Sequence, residues 1–250
     1  LENASAIEES FELLKYFYKR GVRYITLTHS ADNQVCDSCP GNNSWGGLSP
    51  FGKEAVAEMN RLGILVDVSH VSDETFYDVL ECPSKPVVAT HSCCRALADH
   101  PRNMTDDMIR ALASKGGVIQ INFYPLFLDS GFRAVLEDSG IMKEGERIES
   151  DFIADPSNPT KRAAWNKVQD ALNALARPSF RRIADHIDHA VSLVGIDHVG
   201  IGSDFDGIEV TPQGMEDISM MPMLFDELRR RGYSETDLAK IASENFFRIL

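Results

Sequence analysis

Short apolar, β-branched runs alternate with stretches whose apolar residues recur at helical spacing, and this rhythm governs most of the chain. Five runs read as strands, at 22–28, 64–69, 86–90, 117–123 and 198–203, with Leu1 as the tail of a sixth. They are apolar on both faces, which is the pattern of parallel strands covered by helices. Helical spacing predicts helices over 8–20, 50–62, 73–80, 108–114, 180–194, about 219–231, and from Ser234 to the end. Gly21 and Gly63 supply stop signals, Pro50 sits at a first turn, and Thr105 caps the helix that follows it. From 125 to 178 the rhythm breaks into a charged stretch with no strand and one amphipathic helix at 163–176. That stretch reads as an insertion beyond the rim of the fold, a lid or an oligomer contact.

Strands alternating with helices predict an α/β fold of the (β/α)8 TIM-barrel type, a single catalytic domain over 1–250. Such a barrel needs eight strands, and the shortfall, with Leu1 in place of an initiator Met, places the first strands upstream of this chain. Four of the runs end on a metal-type residue: His29, His70, His91 and Asp204. The C-terminal strand ends of a barrel converge on one rim, where chemistry is placed. Any one of these histidines could be a structural hydrogen-bonder, but three imidazoles and a carboxylate at one end suggest a metal-dependent hydrolase. His70 and His91 are separated by one short crossover, as two ligands of one ion must be.

Other residues change the picture less. Asp204 lies in Gly202-Ser203-Asp204-Phe205-Asp206-Gly207, where it can ligate a metal or pass a proton, with Asp206-Gly207 forming the turn. Arg102 follows His91 in a rim loop and suits either capture of a substrate carboxylate or a surface ion pair. His186 and His189 share a helix away from the rim and read as structural. Cys36 and Cys39 have zinc or redox spacing but no second well-spaced pair, so loop thiols or a local disulfide are the default. The formal charge of −13 and pI near 4.9 argue against a nucleic-acid partner. No apolar run is long enough to span a bilayer.

Thr26-Leu27-Thr28-His29-Ser30, Gly47-Leu48-Ser49-Pro50-Phe51-Gly52, Asp67-Val68-Ser69-His70-Val71-Ser72, Thr90-His91-Ser92, Arg102-Asn103 and the Asp204 segment together resemble the membrane (renal) dipeptidase family, the M19 metallopeptidases. The motifs come in the family's order and cover nearly the whole chain outside the insertion. The resemblance implies a (β/α)8 barrel with two zinc ions, hydrolysing dipeptides, including those with a C-terminal D-residue, by a hydroxide held between the metals. Carried over, His70 and His91 correspond to the imidazole ligands of one zinc, and Glu2 to the carboxylate bridging both ions. His29 corresponds to the residue that stabilises the tetrahedral intermediate, Asp204 to the proton shuttle, and Arg102 to the grip on the substrate's C-terminal carboxylate. The His-x-Asp pair that binds the other zinc from the first strand is absent, and Asn3-Ala4-Ser5 stand where glycines usually follow the bridging Glu. Ala98 occupies the place of an animal-enzyme disulfide cysteine, which points to a bacterial relative, in the periplasm or cell envelope rather than the cytoplasm. A homodimer is a further expectation. Rival readings are another barrel metallohydrolase (an amide deacetylase or lactonase) and a non-catalytic ligand-binding barrel.

Overall fold

The computed structural model describes residues 1–82 and 85–250. Five strands, β1 (Tyr24–Thr26), β2 (Leu65–Asp67), β3 (Val88–Ser92), β4 (Val118–Ile121) and β5 (Val199–Ile201), form one all-parallel sheet in sequence order. Parallel neighbours need a crossover, and helices supply it. These are α1 (Phe11–Lys19) before the sheet, then α2 (Pro50–Leu62), α3 (Asp73–Glu81), α4 (Asp106–Ser114), the group α5 (Pro125–Leu128), α6 (Ser130–Ser139), α7 (Ile141–Ala154) and α8 (Pro159–Asn173), and α9 (Arg181–Val194). Helix α10 (Met221–Arg230) follows β5, and α11 (Glu235–Ala239) runs through a π-helical turn into α12 (Asn245–Ile249).

Local chemistry sets these boundaries. The Ser49 hydroxyl caps α2 by accepting from Gly52 N–H at 2.9 Å, and Gly63 ends it at φ +80°. Ser72 and Thr105 cap α3 and α4 in the same way. Buried faces of these helices, such as Ala55, Val56 and Met59 of α2 and Ile183, Ile187 and Ala190 of α9, pack on a sheet whose Ile25, Val66, Ile119 and Ile121 are inaccessible to water. Asn245, buried at the start of α12, ties the last helix to the base of β5 by donating to the Ile196 and Val199 carbonyls at 2.7 and 2.8 Å.

Three differences from the sequence expectation have physical causes. The ladders are shorter than the apolar runs, because the chain leaves the sheet past Thr26, Asp67 and Ile201 to carry side chains onto the rim. The stretch at 125–178 holds four helices where one was expected. Helix α7 fully buries only Gly145, while Ile141, Met142 and Ile148 pack half-buried on the core between charged residues. Among the described residues β1 and β5 stand at opposite ends of the sheet and do not pair. Leu1 and Glu2 do lie beside β1 as a further parallel segment, with Glu2 bridged to Thr26 and Thr26 N–H donating to the Leu1 carbonyl at 3.0 Å. The chain is thus an α/β protein with a parallel sheet.

Candidate metal centre and adjoining cleft

One offset builds the rim. His29, His70 and Asp204 each lie three residues beyond β1, β2 and β5 (29 − 26, 70 − 67, 204 − 201), while His91 is inside β3. His70 and Asp204 take left-handed backbone, at φ +70° and +61°. That conformation costs a non-glycine residue about 1–2 kcal/mol, and local contacts hold it. The His70 carbonyl accepts from Cys39 N–H at 2.8 Å, with the Ser38 hydroxyl oxygen 3.3 Å away. The Ser38 hydroxyl donates to the His29 carbonyl, so one loop ties both histidine turns. At Asp204, Gly207 N–H donates to its carbonyl at 3.0 Å. A Cβ on Gly207 would overlap the Asp204 carboxylate, which is why glycine fits there.

The four residues do not all converge on one point. Glu2 Oε1 lies 3.3 Å from His70 Nε2 and 3.4 Å from His91 Nε2, and the ligand atoms of these three residues all fall within 4.8 Å of one another. His29 is at the margin, with Nε2 4.0 Å from the same oxygen and half of its side chain exposed. The ring of His29 sits 4.4 Å from that of His70, which sits 4.8 Å from His91. Asp204 stands apart, its Oδ2 accepting from Asn122 Nδ2 at 3.0 Å.

Protonation states suit a divalent cation. Burial lowers the His70 pKa to about 4, so its imidazole is neutral at pH 7 with a lone pair to give. The imidazoles of His70 and then His91, 3.3 and 3.4 Å away, hold Glu2 well below the usual carboxylate range, so it is anionic. His91 Nε2 is buried and has no hydrogen-bond partner among the described residues. Buried polar atoms are rarely left so, and a cation between His70, His91 and Glu2 would satisfy it. The donor set therefore fits a metal of the kind that takes nitrogen and oxygen ligands.

A cleft of about 290 Å³ opens beside this cluster, lined by His29, His70, His100, Arg102, Tyr124 and Asp204 among others. Arg102 is buried here instead of forming a surface ion pair, at 9% exposure. Its Nη2 donates to the His91 carbonyl at 3.3 Å, its guanidinium lies 5.3 Å from the Phe127 ring, and Nη1 has no partner among the described residues. Burial lowers its pKa, though an arginine stays charged. Burial, followed by repulsion from Arg133 and Arg102, also brings His100 to about 4. Burial, with Glu209 beside it, pushes the Tyr124 hydroxyl upward.

The remaining candidates fall outside the cluster. All five cysteines are free thiols, and burial pushes Cys39, in the cleft wall, up to about 11. His186 accepts from Cys94 N–H through Nδ1 at 3.0 Å and reaches the Leu128 carbonyl with Nε2 at 3.0 Å, while His189 pairs with Asp106 at 2.8 Å. Both are structural, as expected. Sequence reading passed over Asp67, Asn122, Tyr124 and Glu209. Asp67 had a signal, a lone carboxylate inside the apolar run 64–68.

A parallel α/β scaffold with a His–His–Glu cluster at its strand ends defines a metal-dependent hydrolase type of site. The family model for membrane dipeptidase, peptidase family M19, matches residues 1–250, and the chain belongs to that family. The family is one of metallopeptidases, which implies a metal. The chain is 35% identical over 251 residues to an uncharacterized dipeptidase of Schizosaccharomyces pombe, covering all of this chain and 51% of that protein. It superposes on the probable dipeptidase PvdM of Pseudomonas aeruginosa with TM-score 0.81 and 30% identity, covering 100% of this chain and 67% of that one. A metallopeptidase of Rhodobacter sphaeroides, solved with a phosphinate mimic of the dipeptide L-Ala-D-Ala, gives TM-score 0.76 and 27% identity, covering 99% of this chain and 60% of that one. The chain spans about half the length of the curated relatives it matches.

Proposed function

We propose that the protein is a zinc-dependent dipeptidase that hydrolyses the peptide bond of dipeptides, including those with a C-terminal D-residue. The observation that carries this reading is a His70–His91–Glu2 ligand set adjoining, through His70, a cleft lined by a buried guanidinium whose Nη1 has no partner among the described residues. A substrate of that cleft offers a free carboxylate to Arg102 and a carbonyl to the metal cluster, and a dipeptide has both within a few ångströms. An amide deacetylase or lactonase need not place an arginine there. The L-Ala-D-Ala mimic bound by the Rhodobacter relative supports a D-residue at the C-terminal position.

His70, His91 and Glu2 would hold one zinc ion, and Glu2 would share a second with ligands outside these 250 residues. The chain's one His-x-Asp sequence, His186-Ile187-Asp188, is engaged elsewhere, with Asp188 bonded to Arg231 and Tyr233. When bound, zinc supplies Lewis acidity that polarises the scissile carbonyl and makes water a better nucleophile at neutral pH. The protein groups do the rest. Arg102 orients the substrate by its carboxylate. His29, whose Nδ1 lies 2.9 Å from the Ser30 hydroxyl, presents Nε2 to the developing oxyanion. Asn122 holds Asp204 Oδ2, leaving Oδ1 to carry a proton to the leaving amine. Helices α5 to α8 serve as an insertion flanking the cleft, to which α5 contributes Phe127. In the whole protein the sheet would be completed to a (β/α)8 barrel on the side of Leu1 and Glu2.

Elemental analysis of the full-length protein, with hydrolysis of L-Ala-D-Ala followed by amino-acid release, tests this. Zinc and turnover are expected in the wild type, and His70→Ala or His91→Ala should lose a metal ion. Protein without a transition metal, with both variants unchanged in content and activity, would refute it.

A further inference from the structure

Beneath His91 lies a carboxylate that the chemistry above leaves unused. Asp67, the last residue of β2, is 0% exposed, and both of its oxygens are occupied. Oδ1 accepts from the Ser69 and Thr90 N–H groups, each at 3.0 Å. Oδ2 accepts from the Thr26 and Thr90 hydroxyls, each at 2.6 Å. The register produces this arrangement, since Thr26 of β1 is the direct neighbour of Asp67 and β3 lies on its other side.

The Thr90 hydroxyl is the informative one, because its oxygen also lies 2.8 Å from His91 Nδ1. A hydroxyl has one hydrogen to give. Between an anionic oxygen and a neutral ring nitrogen, the charge-assisted bond is about twice as strong. The hydrogen therefore goes to Asp67, and Thr90 Oγ1 meets the imidazole with a lone pair, so Nδ1 must carry the ring hydrogen. Ser69 fits the same scheme. Its hydroxyl oxygen accepts from His91 N–H at 3.0 Å and lies 3.4 Å from Thr90 Oγ1, to which it can turn its own hydrogen. With Nδ1 protonated, Nε2 is left with its lone pair on the side of Glu2 Oε1, 3.4 Å away, and has no hydrogen bond among the described residues.

We propose that Asp67, acting through Thr90, positions His91 as its Nδ1–H tautomer and so presents Nε2 to the metal. The proposal rests on the reading of His91 as a ligand. Asp67 and Thr90 are positioning residues, buried away from substrate, and their effect falls on metal affinity. Partners of this kind behind a histidine ligand orient the ring and raise its basicity.

The test is competition for Zn2+ between a chelator and the full-length protein. Thr90→Val keeps the shape and removes the hydroxyl, and should bind zinc about 10- to 100-fold more weakly, whereas Thr90→Ser should stay within about threefold of wild type. Unchanged zinc affinity in T90V would overturn the proposal. Equal weakening in both variants would also overturn it, because Thr90→Ser keeps the hydroxyl and the loss could then not be traced to it. Should T90V fail to fold, the 15N shifts of His91 in chelator-treated full-length wild type decide the matter, with Nδ1–H expected and Nε2–H contradicting it. A wild type that takes up no zinc would overturn instead the metal-site reading beneath the proposal.

Discussion

Replacing Arg102 by methionine separates its role in binding from any role in folding. The side chain is nine-tenths buried and, among the described residues, donates only to the His91 carbonyl and leaves Nη1 unpartnered. If a dipeptide carboxylate completes it, removing the guanidinium loses a charge-assisted pair at a buried position, a change that costs about 2–5 kcal/mol. At about 1.4 kcal/mol per tenfold, kcat/KM should fall about 30- to 5000-fold. Amidating the substrate removes the other half of the pair, so wild type should lose a similar factor on a dipeptide amide. The variant should then barely distinguish free from amidated dipeptides, and that loss of discrimination is the coupling the assay measures. Stability should move the other way. A buried charge without a counter-ion is costly to fold, so R102M should be as stable as wild type or more so in urea unfolding, despite losing one hydrogen bond and the Phe127 contact. Undiminished preference for the free carboxylate in R102M, or marked destabilisation with normal preference, would refute the reasoning.

Asp204→Asn should keep the metal content of wild type and lose about 10²- to 10⁴-fold in kcat, with KM changing less, because the amide cannot return a proton; loss of metal in that variant would make Asp204 a ligand. Burial lowers the His186 pKa to about 4 against 6.5 in the unfolded chain, so between those values the unfolded state binds more protons and stability falls as pH drops through that window. His186→Gln cannot titrate there, and its urea midpoint should fall less steeply from pH 6.5 to 4; an unchanged slope would show that His186 does not contribute.

Much of the fold is legible in the sequence. The five apolar runs and most helices sit where the pattern of the chain puts them, since burial on both faces and helical spacing are local properties of sequence. The stretch at 125–178 is less legible, because the apolar residues of α7, Ile141, Met142 and Ile148, recur at helical spacing but are only half-buried among many charged neighbours. The metal-type residues were legible as a set because each ends an apolar run, but their separate positions were not. Only the left-handed turn at His70 and the placement of His91 inside β3 bring those two rings onto Glu2 and leave His29 at the margin.

The identity and order of the chemical groups therefore belong to the sequence alone: three histidines, Asp204 and Arg102, each carried by its own strand end or rim loop. What tertiary structure decided is which of them share a point in space and which atoms are left unpaired there. Arg102 reads equally well as a surface ion pair until packing against Phe127 buries it with no ion-pair partner among the described residues. Asp67 looks like an intruder in an apolar run until strands from three parts of the chain bring Thr26, Ser69 and Thr90 around it. Hydrogen bonds act over about 3 Å, and the residues that make these ones stand 41 and 23 positions apart. No local pattern can encode that pairing, and it exists only once the parallel register of β1, β2 and β3 has been set by the burial of their apolar neighbours.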